Sequence, residues 1–164
     1  MALQKTVNID PAIGVPGAQA AFLGEVTTVQ NGISDGTAAA GQFVWAGTAS
    51  VNSTGTAVGT IVKGTGSSNV APLGLAVRLL TGVLPEGVDA ELKYERGENV
   101  TVAIRGDFYV SATGAATVGQ AVNVNTTTGA MTYGSAGTGE VATGWTVTTA
   151  ASAAGDLIVI SNHG

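Results

Sequence analysis

The residues of this chain that could do chemistry are few, and their spacing narrows what that chemistry is. The one histidine, His163, stands beside the C-terminal Gly164. A catalytic histidine needs an orienting partner and a rigid seat, whereas chain ends fray, so a solvated tail is expected. Glu91, Glu95 and Glu98 fall in a stretch from Pro85 to Gly106 that also carries Glu86, Asp89, Lys93, Arg96 and Arg105. Two such carboxylates would suit glycoside hydrolysis or calcium binding. The stretch has neither the EF-hand spacing nor a dense ligand loop, and its interleaved bases fit cross-strand charge pairs or a hydrophilic rim better. A mixed-charge rim is also what a specific docking surface presents. With no cysteine, the chain has no thiolate nucleophile, disulfide or cysteine-ligated metal. Gly64-Thr65-Gly66 and Gly137-Thr138-Gly139 lack the Gly-Lys-Ser/Thr of a phosphate loop and read as turns. The three Asn-x-Thr/Ser sequons, at Asn52, Asn99 and Asn125, are products of a Thr-rich composition. The expectation is a non-enzyme with no cofactor and no metal.

The elements that carry these residues read as strands. β-branched residues alternate with glycine almost throughout, and no stretch sustains a 3.6-residue apolar period. Strands are expected over Phe22–Gln30, Gln42–Ala46, Ala57–Lys63, Leu73–Leu80, Val100–Ile104, Asp107–Ser111, Gln120–Val124, Ala130–Tyr133, Val141–Thr149 and Asp156–Ser161. Asn31-Gly32 is a turn dipeptide and is expected to stop the first of them. Arg105-Gly106 marks a bend or bulge, Gly64–Asn69 a loop, and Asn125–Gly129 a hairpin with glycine at the left-handed position. Strands spaced by roughly 8–12 residues with turns between indicate an all-β, β-sandwich or β-barrel-like body of β-tulip or jelly-roll type. Trp45 and Trp145 sit in apolar β-like settings and belong to its core, with an interface anchor as the alternative.

The chain has 164 residues, enough for one domain plus an appendage. Charged residues are 10% of the total, well under the usual quarter or so. The surface must therefore be built largely from Gly, Ala, Ser, Thr and Asn, with little charge repulsion to keep copies apart. The net charge of −5 and six scattered basic residues exclude the basic patch that nucleic-acid binding needs. No apolar run reaches the roughly 18 residues of a membrane helix.

The first residues behave differently from the rest. Thr6-Val7-Asn8-Ile9 is a short β-like patch, followed by Asp10-Pro11, Gly14, Pro16 and Gly17. Proline fixes φ, lacks an N–H and drives its predecessor to extended conformations, so this segment is neither helix nor central strand. Without an apolar h-region it is not a signal peptide. An extended arm over residues 1–21, heading a body over 22–164, is expected.

These features resemble the structural cement, or head decoration, proteins of tailed bacteriophages. The family opens with a polar start, Val-Asn, then Pro-Ala-x-Gly-Val-x-Gly; here the run is Gln4-Lys5-Thr6-Val7-Asn8-Ile9-Asp10-Pro11-Ala12-Ile13-Gly14-Val15-Pro16-Gly17. Further matches are Phe43-Val44-Trp45, Thr117-Val118-Gly119-Gln120-Ala121-Val122 with Thr128-Gly129-Ala130, and Val141-Ala142-Thr143-Gly144-Trp145-Thr146-Val147. Where many members carry an Asp-Phe or Asp-Ala pair after the arm, this chain has Ala18-Gln19-Ala20-Ala21-Phe22, which leaves the path of the arm into the body open. The resemblance implies a non-enzymatic virion protein, made in the host cytoplasm, that binds the outside of the capsid and staples neighbouring copies of the major capsid protein. It also implies self-association, as a homotrimer or else a dimer. The arm residues expected at the contact are Lys5, Val7, Ile9, Pro11, Val15 and Pro16, and the expected rim is Glu91, Lys93, Glu95, Arg96 and Arg105. The competing reading is a small β-sandwich binding module, carbohydrate-binding or adhesin-like, which would need a cluster of exposed aromatics.

Overall fold

A computed structural model describes residues 14–20, 27–51, 57–78 and 93–163; among them there is no helix, and nine strands follow one another along the chain. They are β1 (Thr27–Ser34), β2 (Phe43–Val51), β3 (Ala57–Lys63), β4 (Gly74–Val77), β5 (Asn99–Ser111), β6 (Ala121–Asn125), β7 (Met131–Tyr133), β8 (Glu140–Val147) and β9 (Leu157–Asn162).

Strands β1-β3-β2-β4-β5 hydrogen-bond in that order, and β1 pairs back onto β5, which closes a five-stranded barrel. The β1–β3 pair is parallel and the other pairs are antiparallel. Closure leaves these strands no open edge. β5 serves two sheets. Its first half pairs with β1 and β4, and from Gly106 to Ser111 it pairs with β9. Gly106 sits at the change of sheet with φ +124, a conformation L side chains rarely adopt. The bend expected at Arg105-Gly106 is therefore a corner within one long strand, from which a second sheet runs β5-β9-β8-β6-β7.

Two cores follow from this arrangement. Val44, Val62, Ala76, Val100 and Val102 come from barrel strands and pack together with Ala38. Phe43, Trp45, Leu75 and Ala103 point the other way and pack with Phe108, Val110, Val122, Trp145, Ile158 and Ile160 of the second sheet. β2 and β4 are thus covered on both faces, which is why Phe43-Val44-Trp45 is a continuous apolar run and does not alternate.

One expected boundary moves. Asn31-Gly32 does not end β1; both residues lie inside it, with Gly32 opposite Thr60 of β3 and Val100 of β5. A Cβ on Gly32 would lie 2.4 Å from Val62 Cγ1. The glycine is there for close approach of β1 to β3, and that steric demand outweighs the local turn preference of the dipeptide. The Asn125–Gly129 hairpin forms as expected. Asn125 Oδ1 accepts the N–H groups of Thr127 and Thr128 at 2.9 and 3.0 Å, and Gly129 takes φ +73.

Candidate functional site

The root of the N-terminal segment is built into the body. Ala18 N–H donates to Val15 C=O at 3.0 Å and closes a turn, after which the chain runs along the open side of β5. Gly17 N–H donates to Tyr109 C=O at 2.7 Å, Tyr109 N–H to Ala18 C=O at 2.9 Å, and Ala20 N–H to Asp107 C=O at 2.8 Å. Gln19 bridges Phe108. Residues 17–20 thus extend the second sheet by one short antiparallel piece. Arg78 N–H donates to Gly17 C=O at 2.9 Å from the other side. The fit is tight and made of small residues: a Cβ on Gly17 would lie 2.8 Å from Gly41 N, and one on Gly41 would lie 2.9 Å from Pro16 Cβ. Val15 and Pro16, two of the expected contact residues, are half-buried against the chain's own body. Lys5, Val7, Ile9 and Pro11 lie outside the described residues.

The charged stretch resolves into a turn and a separate strand residue. Glu98 closes the turn from Glu95 with its carboxylate, Oε2 accepting Glu95 N–H at 2.7 Å. Glu98 N–H donates to Glu95 C=O at 3.1 Å, Gly97 N–H donates to Ser34 C=O, and Ser34 N–H donates to Glu98 C=O. This carboxylate caps a turn. Lys93, Glu95 and Arg96 are exposed around it, with Lys93 bridged through its backbone to Ala39. Arg105 is exposed six residues along β5 from Asn99, roughly 20 Å away at the rise of a strand. Of the residues expected at a rim, Lys93, Glu95 and Arg96 lie together at this turn and Arg105 lies apart from them; Glu91 lies outside the described residues.

His163 is not a loose tail. Its Nε2 lies 2.9 Å from Asp107 Oδ1, so the last described residue is held on β5 beside the point where Ala20 docks. The tryptophans are core residues. Trp45 donates Nε1–H to Val70 C=O at 2.8 Å, and Trp145 meets Phe43 edge-on and Phe108 at a tilt, each at a centroid distance of 6.0 Å. Tyr94 gives its hydroxyl to Val77 C=O. Phe43, Trp45, Phe108 and Trp145 are buried, so they offer no face for sugar stacking. Among the described residues no group of acidic, histidine or cysteine side chains could hold a metal ion, and no helix is long and apolar enough to cross a membrane.

Local patterns gave no sign of a groove of about 600 Å³ at the junction of barrel and second sheet. Its walls include Pro16, Gln42, Lys93, Ser111, Thr113 and Met131, from five separate parts of the chain. No periodicity in the sequence reports such a meeting.

Comparison with known proteins agrees with this architecture. The family described as structural cement protein (E217 gp24/Pam3 gp6) matches residues 3–162. Among solved structures, a chain from the capsid of Myoviridae phage XM1 superposes with a TM-score of 0.59 at 19% identity, covering 99% of each chain, and so shares the fold. Comparison with curated proteins finds no match. Matched over nearly its whole length and folded as a closed β-barrel with added strands, the chain belongs to the structural cement protein family and is a structural protein of the phage capsid.

Proposed function

We propose that the protein binds the outer surface of the phage head and staples adjacent coat subunits without a catalytic step. The body rests on the coat, and the N-terminal segment crosses to a neighbouring capsid subunit. The observation that carries this reading is the anchored root: residues 17–20 are hydrogen-bonded into the second sheet, so tension on the preceding residues passes directly into the body. Thirteen residues precede Gly14, and fully extended they span roughly 45 Å. Val7 and Ile9 suit addition to an open sheet edge, where main-chain pairing supplies affinity without charge. Pro11 lowers the entropy lost on docking. The exposed Lys93, Glu95 and Arg96 at the turn are a second contact, one that sets orientation.

A deletion of residues 2–13 tests this, because it spares the segment that belongs to the sheet. The body should melt as the full chain does, while co-sedimentation with undecorated heads falls sharply. Unchanged decoration would move the anchor to the charged turn.

A further inference from the structure

We propose that Asn31-Gly32 is a deamidation site that the closed barrel keeps unreactive. The pair reacts only when β1 leaves the seam, and the isoaspartate product does not close again. The chemistry depends on the seam of β1 with β3 and β5 and not on any contact with the coat.

Of the eight asparagines in the chain, Asn31 is the one followed by glycine; the others precede Ile, Ser, Val, Thr or His. In an Asn-Gly pair the backbone nitrogen of the glycine attacks the side-chain amide carbon of the asparagine. A C–N bond forms, the side-chain nitrogen leaves as ammonia with the proton of the attacking amide, and a cyclic succinimide results. Water then opens the ring at one carbonyl or the other and leaves aspartate or isoaspartate. No group is oxidised or reduced. Glycine favours the first step because it carries no side chain to obstruct its nitrogen and moves freely through backbone conformations.

The close approach of β1 to β3 demands glycine at position 32, where a Cβ would meet Val62 Cγ1 at 2.4 Å. The same approach protects the labile pair it creates. Gly32 is buried between Thr60 of β3 and Val100 of β5. Ser34 N–H donates to Glu98 C=O at 2.8 Å. Bonded positions alternate along an antiparallel pair, so the Gly32 N–H is given to Val100 C=O. A nitrogen whose proton is held in a buried hydrogen bond is not free to attack, and a strand paired on both sides does not fold back to bring the reacting groups together. The pairing is weakest just before this point. One extra residue of β1 breaks the register with β5 between Thr28 and Asn31, and pairing with β3 begins at Gly32. β1 therefore peels from its N-terminal side, and the opening reaches Asn31-Gly32 before it releases Ile33 and Ser34. Isoaspartate places an additional carbon in the main chain of β1. Beyond it the alternation of faces slips, Gly32 no longer meets Val62, and the seam stays open.

The test incubates the full chain at mildly alkaline pH, native in one arm and above its denaturation midpoint in the other, and follows position 31 by intact mass and peptide mapping. Asp35-Gly36, the acidic pair of the same kind, loses water on cyclising and regains it on hydrolysis, so it leaves the mass unchanged. In the unfolded chain Asn31 should be the first asparagine to deamidate, and in the native chain it should lag by roughly a hundredfold or more. Val100→Ala thins the barrel core opposite Gly32. It should speed native deamidation and Gly32 amide exchange several-fold and by the same factor; Val62→Ala serves if that variant does not fold. Chains held unfolded should lose the ability to refold in step with isoaspartate, while Asn31→Gln keeps it. Equal rates in the native and unfolded chain, or deamidation that does not follow Gly32 exchange across the variants, overturns protection by the seam. Full refolding of the isoaspartate product overturns the loss of closure.

Discussion

Gly14 lies flat against the ring of Tyr109: a Cβ there would sit 2.5 Å from Tyr109 Cδ2 and 2.7 Å from Cγ. Tyr109 is also the residue whose backbone brackets the arm root, accepting from Gly17 and donating to Ala18. One side chain and one peptide unit of β5 therefore set where the N-terminal segment leaves the body.

Gly14→Val should push the arm root off this ring. Overpacking of this kind costs about 1–3 kcal/mol, and here it falls on a segment held mainly by main-chain bonds. Limited proteolysis should cut within residues 14–20 faster than in the parent, with the body fragment resistant. Equal cutting rates would show that Tyr109 simply swings aside.

Gly32→Ala tests the use of glycine inside β1. The added methyl meets Val62 Cγ1 at 2.4 Å in a buried position, so a loss of about 1–3 kcal/mol is expected by denaturant titration. Val62→Ala in the same chain makes room and should recover part of it. Two additive losses would mean that the clash is relieved elsewhere.

Trp145 packs against Phe43 of β2 and Phe108 of β5 in the core that the outer face of the barrel shares with the second sheet. Trp145→Ala should cost about 3–5 kcal/mol, and Trp145→Phe clearly less. Equilibrium unfolding followed by Trp45 fluorescence gives the comparison. A loss below about 1 kcal/mol for the alanine variant would show that this core does not rest on Trp145.

Asp156 carries a pH dependence. Its Oδ2 accepts the N–H groups of Ala153 and Ser152 and the Ser152 hydroxyl, at 3.0, 2.8 and 2.9 Å. These donors, Ala153 N–H foremost and then Ser152, hold the carboxyl below its ordinary value. A carboxyl lowered on folding adds stability above its unfolded pKa, near 3.9, and loses it as pH falls through the folded one. Amide exchange at Ser152 and Ala153 should therefore accelerate in acid beyond its intrinsic pH trend, and Asp156→Asn should remove that excess. The same profile in both proteins would assign the acid effect to other groups.

What the residues determine by themselves is what near neighbours along the chain decide. The all-β class, the strand Ala57–Lys63, the Asn125–Gly129 hairpin, the corner at Arg105-Gly106 and the core placement of both tryptophans all follow from alternation, glycine φ and side-chain size within a few positions. Other features required the folded chain. Asn31-Gly32 carries a turn signal, and only the approach of Val62 shows why the strand continues through it. His163 is steadied by Asp107, 56 positions away. Arg105 is parted from Lys93 because β5 leads it away from the turn. The barrel seam between β1 and β5, the docking of Gly17–Ala20 on β5, and the groove beside β7 are made by residues that meet only after the sheet has closed. Local preference is worth a few tenths of a kcal/mol to about 1 kcal/mol per residue, whereas burial and steric exclusion across the sheet are worth several, and at those positions the long-range terms decide.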